Sequence, residues 1–557
     1  MNCWLVTCIT DGSLPKPTEG LQLAHHCFKF NRQDSWNFAN VSIHSSEDIS
    51  DASRSQLQLI NGKFNCGFSP SDRYPEGDFS ILSIDFKQQT IRAIIDQLGF
   101  QPVFISTFKN GFSISNSLEA ICLLPETNLE IDDTQIAVFL FSNMVARNNR
   151  TKTPFKNVSR LSYGEELNIS SKIEPNQLPK VSSYWKLENE SSKIHYPRGE
   201  SAIDELHSVL KQTVADRVQN SPTGKVGIAL SGGLDSTLIA AVASELGAKF
   251  TGFTLSHESI HPVDEWPYAT LVSQKYNFPH VKVVADEIPF YIPKNWDIDL
   301  MRGSVISQAA YLADVMAEYS PIGINGLSAD NILDAGLPRM WHPASWGRIL
   351  EEVRTNKQLP RTGLKSLIVK KPITPEPVPT WVNPDFASEI NINELAYEFA
   401  KLRYKKYHPT HNFLGMSIEW FNWSERFRDR LDYEAFDPFF DLRMVRFSLG
   451  LDPFVHFHLK KLQRQLAARI LPIEIAKRPK TILGDLYTSL LRVTSPELVD
   501  LWEAHPDLGK YIQRDLVPHI AGAKLPPREL FNASKAFWLN AWLVGLSEFK
   551  KKRLPEI

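Results

Sequence analysis

The sequence predicts an α/β protein in two parts: a β-rich region over residues 1–195 and, over residues 196–557, a doubly wound parallel sheet with added helices. Three observations carry that prediction. A buried strand, a glycine turn and a helix follow one another without a break between Val226 and Ile239. Further apolar runs at Phe250–Leu255, Val281–Ala285 and Pro321–Gly326 alternate with helical stretches, which is the pattern of parallel strands joined by crossovers. Before residue 195 the runs are short and separated by turn residues, as at Trp4–Ile9, Phe79–Ile84 and Val103–Thr107, and Phe104–Ile114 forms a hairpin with Asn110-Gly111 at its tip.

The strand of the first observation is Val226-Gly-Ile-Ala-Leu230, a continuous apolar run suited to burial on both faces. Leu238, Ile239, Val242 and Leu246 form a stripe at helical spacing, and Gly247 stands where a helix stops. Between them Ser231, Gly232 and Gly233 make a turn. Two glycines let backbone N–H groups come close to an anion, and the helix start adds partial positive charge. The GxxxxGK[ST] phosphate loop is absent; the turn carries Asp235 instead, which can hold Mg²⁺ on phosphates. Ligands of doubly wound sheets lie beyond the carboxyl ends of the strands. Ser231–Ser236, the Leu255-Ser256 end and the Gly326–Asp330 loop are therefore expected to face one crevice.

Composition narrows the function classes. The chain has 557 residues with 43% hydrophobic and 22% charged, enough for two to four domains. A net charge of −2 argues against gripping a nucleic acid backbone. The five cysteines, Cys3, Cys8, Cys27, Cys66 and Cys122, are scattered without zinc spacing, which suits reduced thiols in a cytoplasm. Residues 1–10 lack the basic start of a signal peptide, and no apolar run approaches the ~18 residues of a membrane span. Cytoplasmic location, with neither membrane nor nucleic acid as partner, is the expectation.

The remaining stretches read as follows. Glu188–Tyr196 is polar and suits a linker, and Leu206, Val209, Leu210 and Val214 mark a helix from Ala202. The proline-rich segment 359–384 reads as a surface excursion whose Arg361, Lys365, Lys370 and Lys371 suit solvent or a peptide. From about Asn391 the chain is helical and rich in Trp and Phe, and Lys550–Arg553 reads as a solvated helix end.

Ser231-Gly-Gly-Leu-Asp-Ser236 resembles the pyrophosphate loop of ATP-pyrophosphatases (PP-loop enzymes), which cleave ATP between its α- and β-phosphates. Glu76–Asp85, Asp96–Pro102, Ser115–Ala120 and Val158–Glu165 resemble the N-terminal glutaminase domain of asparagine synthetases, which implies an N-terminal-nucleophile (Ntn) hydrolase-like αββα domain. This chain departs from a working glutaminase. The second residue is Asn2, cysteine comes only at Cys3, and the RGPD and N-G-E-I-Y-N segments are missing, so the resemblance implies a scaffold without glutamine hydrolysis.

The same family supplies candidate site residues. Ile324–Ala335 resembles its "G.GaDE.f.G" loop, with Asp330 on the aspartate and Asn331 in place of the glutamate. Leu431–Arg446 is similar to its "E.R.PFLD" segment and puts Glu434 on the glutamate, a candidate to take a proton from an attacking amine. His458–Leu466 and Ile470–Thr481 match its "K..lR.a….LP..i..R.K" pattern, with Lys460 on the phosphates and Lys480 facing charge at the α-phosphate. The resemblance thus implies ATP binding by Leu230, Ser231, Gly232, Gly233, Leu234, Asp235, Ser236, Leu255, Gly326 and Lys460. It implies Mg²⁺ on Asp235 and Asp330, and catalysis by Glu434 and Lys480.

The reaction implied is carboxylate plus MgATP to acyl-AMP and diphosphate, then attack by an amine. β-Lactam synthetases place a tyrosine three residues before the loop aspartate, where this chain has Leu327. The chain resembles lasso-peptide cyclases in domain layout and degraded N-terminus. That resemblance implies a precursor peptide as substrate, closed into a macrolactam between an Asp or Glu side chain and its N-terminal amine, with a leader protease or leader-binding protein as further partner. An asparagine synthetase using free ammonia, another small-molecule amide synthetase and a tRNA-modifying PP-loop enzyme are the alternatives.

Overall fold

The computed structural model describes residues 4–9, 30–35, 40–45, 56–64, 72–109, 111–141, 151–169, 179–190, 200–259, 265–288, 307–333, 375, 377–402, 433–451, 456, 460–478, 503–519 and 525–553. It is a mixed α/β protein with two antiparallel sheets and one parallel sheet.

The strands of the N-terminal region are β1 (Trp4–Ile9), β2 (Phe30–Ser35), β3 (Asn40–Ser45), β4 (Gln56–Phe64), β5 (Gly77–Asp85), β6 (Thr90–Ile95), β7 (Phe104–Phe108), β8 (Gly111–Ser115), β9 (Val158–Arg160), β10 (Glu165–Ile169) and β11 (Lys180–Ser183). They form sheets of order β2-β3-β1-β8-β7-β9 and β11-β10-β6-β5-β4, every pairing antiparallel. Alternation places Val6 and Cys8 of β1 in one apolar cluster with Leu82 and Ile84 of β5, so the two sheets share a core. The expected hairpin is β7–β8, with Phe108 opposite Gly111. The closing segment 158–165 divides between the sheets, β9 joining the first and β10 the second. Burial raises the Cys8 thiol far above its ordinary range, so it behaves as a small hydrophobe; Cys3 lies outside the described residues. Helices α1 (Leu118–Leu123) and α2 (Asp133–Phe141) follow β8.

After α3 (Glu200–Gln219) the parallel sheet is built from β12 (Lys225–Ala229), α4 (Leu234–Glu245), β13 (Lys249–Ser256), α5 (Trp266–Tyr276), β14 (His280–Val284), α6 (Ser307–Tyr319), β15 (Ile322–Ile324) and α7 (Ala329–Ile332). Strand order is β14-β13-β12-β15-β16, all parallel, where β16 (Glu434–Phe436) is a three-residue strand that hydrophobic periodicity does not reveal. Val226 and Ile228 pack with α3 and α4 on one face, while Ala229 and Phe253 meet Met316 of α6 on the other. Gly323 leaves room for Tyr433 beneath β15; a Cβ there would collide with the phenol oxygen.

The remaining helices are α8 (Pro384–Glu389), α9 (Ile392–Leu402), α10 (Leu442–Gly450), α11 (Lys461–Ile470), α12 (Ile473–Lys477), α13 (Leu508–Tyr511) and α14 (Pro527–Arg553). Three readings of the sequence are corrected at single residues, while 359–374, with Arg361, Lys365, Lys370 and Lys371, and 191–196 lie outside the described residues and Lys550 and Lys551 are exposed. Trp381 and Val382, at the end of the proline-rich segment, are core residues, 3% and 6% exposed. Glu190, in the supposed linker, is buried and bound by Trp185 Nε1 and Arg446 at 2.8 Å each. Arg553 is no free helix end: it donates to the carbonyls of Leu124 and Thr127, and α14 packs with α2 in one cluster. Among the described residues no helix is long and apolar enough to cross a membrane.

Candidate active site

The turn from β12 into α4 is shaped by Gly232. Its φ is +62°, and a Cβ would stand 2.6 Å from the Glu265 carbonyl oxygen and 3.0 Å from the Ala269 amide nitrogen, so no other residue fits. The turn is tied internally. Ser236 Oγ accepts the Ser231 N–H at 3.1 Å, the two serine hydroxyls lie 3.0 Å apart, and Thr237 Oγ1 donates to the Gly233 carbonyl at 2.8 Å. Gly233 caps α4 without a side chain, and Lys460 does the same for α11. Two helix starts with no side-chain cap therefore contribute partial positive charge to the same place.

Lys460 joins them. It adopts the left-handed conformation, φ 56° and ψ 34°, which costs a non-glycine residue about 1–3 kcal/mol and is held here by what its side chain reaches. Its Nζ lies 2.5 Å from Asp235 Oδ2 and also bonds Asp330. Burial pulls the ammonium pKa down, but Asp235 and Asp330 outweigh it and hold the group above its ordinary value. Asp330 is in the first turn of α7 with a side chain 38% exposed, so the cluster opens to solvent. The two hard carboxylates Asp235 and Asp330 would suit a Mg²⁺ that is also held by the phosphates of a nucleotide. Among the described residues no group of three or more His, Cys, Asp or Glu is placed to hold a metal ion.

Two side chains brace this arrangement. Arg478 donates to the Gly232 carbonyl at 2.7 Å, its guanidinium stacked 4.0 Å over the Tyr268 ring. Asp437, at the tip of β16, accepts the Ser328 N–H at 2.6 Å and its hydroxyl at 2.5 Å, both on Oδ2, while Oδ1 accepts the Phe439 N–H at 3.0 Å. Burial pushes Asp437 up to about 7 against the pull of these bonds, with the Asp235 charge adding to the rise. The ladder continues past β15 through Asn325 N–H to the Phe436 carbonyl at 2.8 Å. Gly326 then lies against the start of α4, where a Cβ would be 3.3 Å from the Ser236 nitrogen.

The structure thus brings together Ser231, Gly232, Gly233, Asp235, Ser236, Gly326, Asp330 and Lys460. Leu230 and Leu234 are buried beside them, and Leu230 contributes backbone: its carbonyl accepts Thr254 Oγ1 at 2.5 Å. Leu255 is half-buried on the next strand, and the chain beyond it is held by Asp286, which accepts the N–H groups of Glu258 and Ser259 at 2.8 and 2.7 Å. Leu327 is 64% exposed on the loop before Asp330. Glu434 lies on the last strand of the parallel sheet. It opens β16 opposite Ile322, two residues before the strand tip, and its charge is felt at Asp78 of the N-terminal sheet. Lys480 lies outside the described residues. Arg478, Asp437 and Ser328 were not singled out by sequence reasoning; all three sit inside quoted motifs, and their roles depend on partners far along the chain.

A family model described as asparagine synthase matches residues 205–500, more than half of the sequence. The chain belongs to the asparagine synthase family. Within that family it is similar to asparagine synthetase [glutamine-hydrolyzing] 2 of Bacillus subtilis (strain 168), 24% identical over 212 residues, covering 37% of this chain and 28% of that one. It is also similar to a putative asparagine synthetase [glutamine-hydrolyzing] of Mycobacterium bovis, 30% identical over 229 residues, 40% of this chain and 34% of that one. The matches span about a third of these relatives, 28% and 34% of their length.

Proposed function

We propose that this protein is an ATP-dependent, AMP-forming amide ligase. In this reading it adenylates an Asp or Glu side chain of a precursor peptide and closes a macrolactam with the peptide's N-terminal amine. The observation that carries the ligase part is the meeting of Asp235, Asp330 and Lys460 at the uncapped start of α4. Backbone amides and Lys460 hold the triphosphate, with Asp235 and Asp330 holding its Mg²⁺, whose chemistry is to neutralise phosphate charge. Lys480 is assigned to the charge that builds up at the α-phosphate. The substrate carboxylate attacks there, diphosphate leaves, and the amine displaces AMP. Holding both peptide groups in one crevice makes ring closure effectively unimolecular.

Glu434 is a separate part of the proposal. It is assigned the proton lost by the amine, a role worth about a hundredfold or more in rate. The curated relatives are named as asparagine synthetases, and a second reading is a synthetase that amidates aspartate with free ammonia. One assay separates the two. With linear precursor peptide and MgATP, AMP and diphosphate are expected together with a peptide lighter by one water; asparagine formed from ammonia and aspartate would select the second reading, and ADP with phosphate would reject both. Glu434→Gln should slow ring closure while leaving nucleotide binding as in the unaltered protein.

A further inference from the structure

Nothing above requires an acidic residue at 437. The motif around it, Glu434-Ala-Phe-Asp-Pro-Phe-Phe-Asp441, resembles a pattern that leaves this position open. Yet Asp437 is the point at which three donors converge on one buried carboxylate. Ser328 supplies two of them, through its N–H and its hydroxyl, and Phe439 N–H supplies the third. Ser328 stands two residues before Asp330, and α7 starts on the intervening Ala329. The other side of the same loop is anchored by Asn325, whose N–H bonds the Phe436 carbonyl and whose side chain accepts the Leu327 N–H at 3.2 Å. The loop carrying Asp330 is thus held at both ends by β16, and the tip residue Asp437 holds the end next to Asp330.

We propose that Asp437 is a positioning residue that fixes the loop presenting Asp330 to the Lys460 cluster, and so sets the affinity for the divalent cation that accompanies the nucleotide. The inference rests on the nucleotide reading above. Chemistry explains why a carboxylate is needed. Its two oxygens accept three donors, whereas an asparagine has one acceptor oxygen and would turn an NH₂ group toward either Ser328 or Phe439. Whichever bond is lost, Ser328 is released or the turn beginning at Pro438 is distorted. Either way the Asp330 carboxylate loses its fixed place beside Asp235.

A residue that merely capped the 438–440 turn would affect stability and leave the cation dependence alone. That difference makes the role testable. The full chain, Asp437→Asn and Ser328→Ala are titrated calorimetrically with ATP in EDTA and at rising Mg²⁺, with thermal unfolding followed on each. In EDTA both variants are expected to bind ATP within about twofold of the unaltered chain, since adenine and the Ser231–Ser236 turn are untouched. The Mg²⁺ needed for half-saturation is expected to rise about tenfold for Asp437→Asn, the scale of a lost hydrogen bond to a charged group, and severalfold for Ser328→Ala, with excess Mg²⁺ restoring both. Folded variants with unaltered Mg²⁺ dependence would overturn the inference. If Asp437→Asn does not fold, Ser328→Ala decides alone, because it removes one bond and leaves the carboxylate in place. An unaltered chain that ignores ATP with and without Mg²⁺ would instead overturn the nucleotide reading.

Discussion

Two clusters of acid and base, one around Lys460 and one around Arg217, are built for different ends. In one, Lys460 spans Asp235 and Asp330, and the Asp330 side chain is 38% exposed. In the other, Arg217 bonds Asp78 and lies 3.8 Å from Asp441, while Arg443 bonds Asp441 at 2.8 Å and Asp216 at 2.7 Å; Arg217, Asp78 and Asp441 are 5%, 8% and 3% exposed. Arg217 also lies 4.1 Å over the Phe436 ring. The enclosed cluster joins the N-terminal sheet to α3 and α10, and its carboxylates are buried against the arginines that pair them. The open cluster keeps its carboxylates where a ligand can compete for them. Similar residues thus make a fastener in one place and a receptor in the other, and burial decides which.

The largest test of that contrast is Arg217→Ala. It strands Asp78 in the interior, while Asp441 keeps Arg443, and should destabilise the fold by about 3–5 kcal/mol in denaturant titration. A loss under about 1 kcal/mol, as for an exposed pair, would break the comparison. Next comes Asp235→Ala in the open cluster, expected to lower ATP–diphosphate exchange by about a hundredfold or more with little change in unfolding midpoint. The smallest effect sharpens the picture of buried acids. Burial and the neighbouring Asp78 push Asp96 from its ordinary 3.8 up to about 7. Between those values the folded protein keeps a proton that the unfolded chain has lost, so this residue's contribution to stability falls as pH rises from 3.8 to about 7. Asp96→Asn removes that dependence, and the unaltered chain should lose stability relative to the variant across this window. Parallel curves would show that Asp96 does not titrate there.

What the sequence revealed follows the reach of the interactions. The strand, turn and helix from Val226 to Gly247 are contiguous, and their periodicity, glycines and stop signal lie within a few turns of one another. Phe104–Ser115 was legible for the same reason. Lys460 and Asp235 are 225 residues apart, and only the motif pattern pointed to their meeting. Asp437 and Ser328 are separated by 109 residues, and no local signal marks the pair. β16 was missed because three residues cannot display a period, and Asp437-Pro438 beside it reads as a turn. The placement of Glu434 depended on that strand and its register against Ile322, which explains why the motif that picked the residue did not say which end of the strand it occupies.

The docking of α14 has a consequence for how the protein is made. Its Ala536, Leu539 and Trp542 cover the same cluster as Ile136 and Leu140 of α2, and Lys535 reaches the Leu140 carbonyl across 395 residues of sequence. During synthesis the apolar side of α2 emerges long before the segment that shields it, so the nascent chain carries a sticky surface until that segment follows. Closing this cluster therefore needs contacts of very long sequence separation, the kind that form slowly in folding, whereas the core between the two antiparallel sheets closes without α14.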